Sequence, residues 1–246
     1  NGQINTPITT DGTYLYFGTW PGGSNAGTYY QVKLSDYSVK TFTPDSYGFY
    51  WAGAVSDGTN VYFGSDNGLL YWRSIADFDT TGGVLDLTDV ASDAGNVRST
   101  VMLDDGYLYF TTQGGYLWCC SYDDGLTVEW HKKLGATSTS TPTKVGDRIY
   151  VGYYSGFNAG GVQCVSADGS SVKTVVEGDG FPVQSSIVVM GDGTGTDYLY
   201  FNTNAQKGAG YCYSFDGTTG SQVWGTTGDT YALGGMAIDN GYAVFG

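Results

Sequence analysis

Side chains able to perform acid, base or nucleophilic chemistry are sparse in this sequence. His131 is the only histidine, so neither a Ser-His-Asp triad nor a histidine-rich metal site can readily be built. The only two glutamates, Glu129 and Glu177, both fall outside the inner strands described below. The aspartates concentrate in Asp-Gly turns, where a carboxylate accepts local backbone hydrogen bonds. The pattern indicates no catalytic residue and predicts a protein that is not an enzyme.

Cysteine and the glycine-rich loop at residues 191–197 supply two further candidates for chemistry. The sequence holds four cysteines, and an even number permits disulfides. The loop reads GDGTGTD, in which Asp192 and Asp197 could offer oxygen ligands to calcium. It lacks the bidentate glutamate and the full ligand spacing of a calcium loop. We therefore expect a hairpin loop with no metal or cofactor, and calcium at the two aspartates is the alternative.

The charge of the chain restricts its partners. Twenty-four acidic residues stand against ten basic ones, which gives a formal net charge of −14. Nucleic acids and anionic membranes both attract basic surfaces. No apolar run approaches the roughly 18 residues that a transmembrane helix requires. We expect no nucleic-acid partner and no membrane insertion within this chain.

These side chains are carried by an internal repeat that runs from one end of the chain to the other. The segment DGTYLYFG at residues 11–18 recurs as DGTNVYFG at residues 57–64, and related segments follow at intervals of 41 to 50 residues. Each segment contains one apolar anchor residue, and the six anchors are Phe17, Phe63, Phe110, Val151, Phe201 and Phe245. This period is the length of a four-stranded propeller blade.

The sequence around each anchor predicts the four strands. A strand of small residues precedes the anchor, as small side chains suit the crowded innermost position. A glycine-led strand, a turn and an alternating fourth strand follow it. The pattern predicts an all-β β-propeller with five complete blades plus half of a sixth. We expect residues 1–246 to form a single domain, incomplete at its C-terminus, whose missing strands come from more of the same polypeptide or from another chain.

The stretch GYCYSFDGTTGSQVWGTTG at residues 210–228 resembles the pyrroloquinoline-quinone-type repeat. In that repeat an aspartate ends the third strand, Thr-Gly forms the turn and a tryptophan lies on the outer strand. Asp216, Thr219, Gly220 and Trp224 match these positions. A looser match in the third repeat comprises Asp124, Gly125 and Trp130. The resemblance implies the propeller fold, which hosts many functions.

The resemblance also raises the alternative of a quinoprotein dehydrogenase. Enzymes of that family hold the quinone with calcium and commonly carry a disulfide between adjacent cysteines in a loop. Here the adjacent pair, Cys119 and Cys120, lies inside a predicted strand, where alternation points the two side chains to opposite faces. Aligned on the strand-ending aspartates, Cys120, Cys164 and Cys212 fall at one repeat position. We therefore expect these cysteines to be reduced and buried, and we favour the non-enzymatic branch.

Aromatic side chains in the loops are the strongest indication of a functional surface. In a propeller, the loops that follow the second and fourth strands share one face. Six aromatic residues of these loops form the predicted binding face: Trp20, Tyr50, Trp51, Tyr153, Tyr154 and Phe157. Clustered exposed aromatics mark binding surfaces, whereas the alternative is that they pack between blades.

The composition and the resemblance together predict an extracellular or cell-surface binding or structural propeller. Lysines are few, while Tyr, Gly, Thr and Ser are abundant, and members of the family are frequently exported. We expect a protein partner or self-association, as in an envelope or filament subunit. A lectin-like propeller that binds a carbohydrate is the other alternative.

Overall fold

The computed structural model describes residues 2–123, 125–228 and 231–245. The chain divides into two compact units, Asn1–Gly114 with Trp118–Glu129 and Gly115–Leu117 with Trp130–Gly246. Within the described ranges there is no α-helix, and the two short helices, Asp66–Gly68 and Leu87–Asp89, are 3₁₀ turns. No helix among these residues is long and apolar enough to cross a membrane.

The first two sheets lie in the first unit. The first comprises β1 (Gln3–Ile4), β2 (Thr9–Thr10), β3 (Tyr14–Trp20), β4 (Tyr29–Lys33) and β5 (Val39–Phe42). Its order is β1-β3-β4-β5, and β2 also pairs with β3. The second sheet, in chain order, comprises β6 (Val55–Ser56), β7 (Asn60–Ser65), β8 (Leu69–Ser74) and β9 (Gly82–Asp86).

The remaining sheets also follow chain order. The third comprises β10 (Met102–Asp104), β11 (Tyr107–Thr112), β12 (Tyr116–Ser121) and β13 (Thr127–Lys133). The fourth comprises β14 (Thr143–Val145), β15 (Arg148–Ser155), β16 (Ala159–Ser166) and β17 (Val172–Asp179). The fifth comprises β18 (Val188–Met190), β19 (Asp197–Thr203), β20 (Ala209–Phe215) and β21 (Gly220–Thr227). A two-stranded sheet comprises β22 (Ala237–Asp239) and β23 (Tyr242–Val244).

Four of the six anchor residues lie on the second strand of a four-stranded sheet, as the repeat predicts. Phe17 is half-buried on β3, and Phe245 is half-buried directly after the end of β23. Phe63, Val151 and Phe201 stand on β7, β15 and β19, and all three side chains are fully buried. These strands are almost continuously buried because both faces of the sheet are covered. These three anchors therefore belong to the core rather than to one face of a half-exposed sheet.

Aromatic stacking dominates the core of the first unit. The ring of Tyr29 stacks on Phe63 with centroids 3.8 Å apart. Phe49 packs edge-on against both rings, at 4.9 Å and 5.5 Å. In the second unit the equivalent core contains Tyr150, Phe201 and other fully buried side chains. Such ring pairs stabilise a core beyond the area that they bury.

In the first, third and fourth sheets a hydroxyl side chain of the innermost segment bonds to the backbone of the anchor strand. The Thr6 hydroxyl accepts from the Gly18 amide at 2.8 Å, and the Ser99 hydroxyl accepts from the Thr111 amide at 2.8 Å. In the fourth sheet the Ser138 hydroxyl donates to the carbonyl of Gly152, the residue after the anchor Val151, at 2.7 Å. The small inner residues therefore also satisfy buried backbone groups.

Glycine directly after the anchor permits close packing against the next sheet of the same unit. A Cβ at Gly64 would lie 2.2 Å from the Val97 side chain, and one at Gly152 would lie 2.4 Å from the Val183 side chain. The nearest neighbours of Gly152 also include backbone, which cannot rotate away. The close approach of consecutive sheets therefore depends on the missing side chain.

The substitution Gly152→Ala should lower the free energy of unfolding by about 1–3 kcal/mol, because the added methyl group overpacks the contact with Val183. Gly195→Ala is the matched control, since a Cβ there has no atom within 4 Å. The control should leave stability unchanged or slightly raised. Thermal melts of both variants test this, and equal melting temperatures would contradict the packing constraint.

Candidate functional site

A buried ion pair organises the most distinctive surface of the first unit. Asp66, in the 3₁₀ turn after β7, accepts two parallel hydrogen bonds from Arg98, from Nε and Nη2 at 2.8 Å each. The indole Nε1 of Trp20, at the end of β3, donates to the same carboxylate at 3.0 Å. Only 6% of the aspartate side chain and 17% of the arginine side chain are exposed. One carboxylate thus fixes three elements in a bidentate, charge-assisted geometry.

Aromatic rings cover this ion pair. The Arg98 guanidinium lies 4.6 Å from the ring centroid of Tyr50, within the range of a cation–π interaction. Trp20 and Tyr50 pack edge to face at 4.8 Å, and Tyr50 contacts Trp51 at 4.7 Å. The three rings are partly exposed. We call Trp20, Tyr50, Trp51, Asp66 and Arg98 the Trp20 cluster.

The loop that carries two of these rings has an unusual backbone. Tyr47 and Trp51 adopt φ values of 64° and 60°, in the left-handed region that bulky residues rarely enter. Phe49, between them, is fully buried, and its amide donates to the Thr19 carbonyl at 3.0 Å. The Trp51 amide donates to the Asn5 carbonyl at 3.3 Å. The loop is therefore held in a conformation that glycine would adopt more readily.

The Trp20 cluster contains residue types that are enriched at protein interfaces. Its carboxylate is already occupied by three donors, and the cluster holds no nucleophile. Trp, Tyr and Arg dominate the energetics of protein interfaces because they combine large area with polar groups. The arrangement is a partly exposed aromatic surface that packs on a largely buried ion pair.

The predicted aromatic residues of the second unit are divided between core and surface. Tyr153 is 5% exposed, its ring occupies the space that a Cβ at Gly135 would take, and its hydroxyl donates to Glu177 at 3.3 Å. Tyr153 therefore packs inside the unit, which agrees with the alternative that these aromatics are packing residues. Tyr154 is half-buried. Phe157 is 63% exposed and packs edge-on against Tyr231, which is 51% exposed, at 6.2 Å.

The two aspartates of the glycine-rich loop have different partners. Asp192 is exposed and accepts from the amide and hydroxyl of Thr194. Asp197 is fully buried and accepts from Arg148 Nη1 at 2.8 Å and from the Tyr150 hydroxyl at 2.6 Å. Across the described residues, no three His, Cys, Asp or Glu side chains group to hold a metal ion. The carboxylate of Asp197 is used by a cation of the chain itself.

The other residues considered for chemistry make local contacts. His131 packs edge-on against Tyr116 at 5.4 Å. Glu129 accepts from the Ser121 hydroxyl at 2.6 Å. The turn aspartates accept backbone amides, as the sequence predicts, with Asp216 receiving those of Thr218 and Thr219.

All four cysteines are free and buried, which confirms the expectation for Cys120, Cys164 and Cys212. The alignment that makes Cys120 equivalent to Cys212 is wrong by one residue. Cys119 hydrogen-bonds Tyr109 of the second strand, as Cys212 does Tyr200. The reason is that the segment between this cysteine and the next strand-ending aspartate is one residue longer in the third sheet.

Sequence reasoning missed Asp66, Arg98 and Tyr231. Neither member of the ion pair recurs in the repeat, and 32 residues separate them. Only a weak feature of the sequence points to this ion pair: Arg98 is one of only ten basic residues, and it stands close to a predicted inner strand.

No protein-family model and no curated protein matches the sequence. Solved structures do match it. Saccharomyces cerevisiae Sqt1 superposes with a TM-score of 0.68 at 12% identity, covering 98% of this chain and 69% of that one. BamB from Moraxella catarrhalis gives 0.54 at 12% identity, covering 97% and 81%. Quinohemoprotein alcohol dehydrogenase ADHIIG from Pseudomonas putida HK5 gives 0.52 at 13% identity, covering 78% of this chain but only 37% of the enzyme.

At such low identity the likeness shows the fold alone. The chain is an all-β protein with a β-propeller fold of four-stranded blades. Five blades have their full set of strands, and the described residues include two strands of a sixth. The expectation of a propeller repeat protein is confirmed. The neighbours include both a dehydrogenase and proteins whose names indicate no reaction, so the fold does not assign an activity.

Replacing Asp66 with asparagine should lower the free energy of unfolding by about 3 kcal/mol, because it leaves the largely buried Arg98 without its counter-charge. The tryptophan fluorescence of the native state should shift as the Trp20 indole loses its acceptor. Asp36→Asn is the control, since Asp36 forms an exposed pair with Lys33 and such pairs contribute little. Equal melting temperatures for the two variants would contradict a structural role for the ion pair.

The native thiols should not react with a maleimide at about pH 8, because they are buried and burial raises the pKa of Cys164 to about 11. An unfolded thiol ionises near its ordinary value of 9.0. The Cys164 contribution to stability is therefore complete below that pH and is lost as the pH rises towards 11. Mass spectrometry after labelling in buffer and in denaturant tests this. A labelled native thiol, or a disulfide in the non-reduced protein, would show that the sites are accessible or oxidised.

Proposed function

We propose that this chain is a non-enzymatic binding propeller that works at the cell surface or outside the cell. The Trp20 cluster is the surface that contacts its partner, and the partner is a protein or a second copy of the chain. The observation that carries the proposal is the packing of Trp20, Tyr50 and Trp51 on the buried Asp66–Arg98 pair.

Preorganisation supports a binding role for this surface. The bidentate ion pair and the indole hydrogen bond fix Trp20 and Arg98, so docking costs little side-chain entropy. Trp51 completes the surface from a backbone conformation that would suit glycine better. An observed backbone outlier of this kind is a reason to infer function, since strain persists where the surrounding structure imposes it.

The setting outside the cell is supported by composition. The chain has few lysines and a strong acidic excess, which favours solubility and disfavours nucleic acids. The resemblance to a frequently exported repeat family points the same way.

The substitution Trp51→Gly should weaken partner binding at least about tenfold, because it removes one of the three aromatic rings of the surface. It should leave stability nearly unchanged, since glycine relieves the left-handed backbone while the lost ring is only half-buried. Light scattering first tests for self-association. A photoreactive residue at position 51 then captures a partner from the source cells, and calorimetry compares affinities.

Tyr37→Gly is the matched control. Tyr37 is also aromatic with a positive φ of 59°, and it is 77% exposed in the turn between β4 and β5. Binding equal to that of the wild type in Trp51→Gly would refute the proposed surface. Dependence of a glycan-array signal on Trp51 would instead assign the surface to carbohydrate.

A further inference from the structure

A small cavity of about 180 Å³ lies in the first unit, away from the residues of the Trp20 cluster. Three aromatic residues wall it: Tyr62, Trp72 and Tyr122. Asn60 and Asp123 also line it, together with Gly125 and Leu126. None of these described lining residues is cationic. Neither the repeat pattern nor the proposed partner surface accounts for this cavity.

Strand pairing positions the three rings. Tyr62 on β7 is the cross-strand partner of Trp72 on β8, and Trp72 is in turn the partner of Gly83 on β9. A Cβ at Gly83 would lie 2.6 Å from the indole Nε1, so glycine leaves room for the indole to lie across β9. Tyr122 follows β12, and its ring centroid is 5.3 Å from that of Tyr62.

Carboxylates surround the cavity. The Tyr62 hydroxyl donates to Asp57 Oδ2 at 2.7 Å. Burial, followed by the charges of Asp57, Asp123 and Asp105, raises the pKa of Tyr122. Negative charge beside three ring faces favours a cation, because the face of an aromatic ring is itself negative.

The fourth and fifth sheets contain a related arrangement in which a cation of the chain lies beside the tyrosine and the carboxylate. Tyr150 stands one residue before its anchor, as Tyr62 does, and its hydroxyl donates to a buried aspartate, Asp197, at 2.6 Å. The Arg148 guanidinium ion-pairs with that carboxylate at 2.8 Å and lies 5.7 Å from the ring centroid of Phe215.

Three repeat positions of the two arrangements correspond, namely those of the tyrosine, of Arg148 and of Phe215, whereas the carboxylate comes from a different position and Trp72 has Cys164 as its counterpart. Arg148 stands three residues before its anchor, where Asn60 stands in the second sheet. Phe215 stands three residues after Cys212, and Tyr122 stands three residues after the equivalent Cys119. Where the fourth sheet supplies a guanidinium, the second sheet supplies a short neutral amide. The second and third sheets therefore place aromatic rings and a carboxylate, Asp57, around the cavity but supply no cation from the position of Arg148.

We propose that the cavity of Tyr62, Trp72 and Tyr122 binds the methylated ammonium group of a small organic cation. The Asp57 carboxylate already accepts the amides of Thr59 and Asn60 as well as the Tyr62 hydroxyl. It is less available for the bidentate pairing that a guanidinium prefers. Recognition then falls to the ring faces, which suit a weakly hydrated cation that needs no hydrogen bond. The volume accommodates one such group rather than a large ligand.

The test uses choline and tetramethylammonium as probes, with calorimetry and tryptophan fluorescence as readouts. Both cations should bind and perturb the Trp72 signal. The uncharged isostere of choline, with a tert-butyl group in place of the trimethylammonium group, should bind at least about tenfold more weakly, since it has the shape without the charge. Equal binding of the isostere would show an apolar cavity, and tighter binding of arginine amide would show a guanidinium site. Either result would overturn the proposal.

Three variants separate recognition from folding. Tyr122→Phe keeps the ring and should retain choline binding, whereas Tyr122→Leu should lose it with little change in melting temperature. Asn60→Arg should abolish binding and leave the melting temperature equal or higher, because its guanidinium would fill the cavity as Arg148 fills its counterpart. Choline binding that survives in both Tyr122→Leu and Asn60→Arg, or its absence in the wild type, would refute the site.

Discussion

The second strands of the second, third and fourth sheets are buried on both faces, so a polar group that the repeat places there is costly without a partner. The tyrosine before the anchor shows how a partner is supplied. Tyr16 and Tyr62 donate to the aspartate of their own hairpin turn, each at 2.7 Å. Burial, together with these carboxylates, raises the pKa of both hydroxyls, which therefore stay neutral donors. Because the same aspartates also hold the turn amides, one interaction sets the turn, the register and the edge of the core.

Where a repeat lacks the turn aspartate, the tyrosine hydroxyl takes a different acceptor, and that acceptor in turn needs a cation. The fourth repeat has a valine, Val145, in place of that aspartate, so Tyr150 reaches Asp197 instead. The fully buried carboxylate would be costly alone, and Arg148 offsets its charge. The glycine-rich loop that resembles a calcium site is thus part of an internal ion pair. The second repeat keeps its own aspartate and needs no arginine, which leaves the aromatic cavity open.

The sequence predicts the strands, the anchors, the small inner residues and the buried thiols because each recurs with the repeat. It predicts less of the candidate site, because loops depart from the repeat. The sequence does not distinguish Tyr153 from Phe157, and it predicts both in a loop. In the structure Tyr153 lies on β15, where Gly135 and Gly161 leave room for its ring, whereas Phe157 lies beyond the end of that strand. The Asp66–Arg98 pair is a single long-range contact between two connecting segments, and no period in the sequence encodes it.

The conformation of residues 47–51 depends on contacts at both of its ends and at its centre. Phe49 is fully buried against Tyr29 and Phe63, so its position is set by the core. With that ring fixed, the backbone must turn sharply on either side, and Tyr47 and Trp51 take the left-handed conformation. A glycine at either position would adopt it with less strain. Core packing therefore explains why the turn is sharp, whereas it does not require an aromatic ring at Trp51. The ring is explained by the surface that it completes with Tyr50 and Trp20.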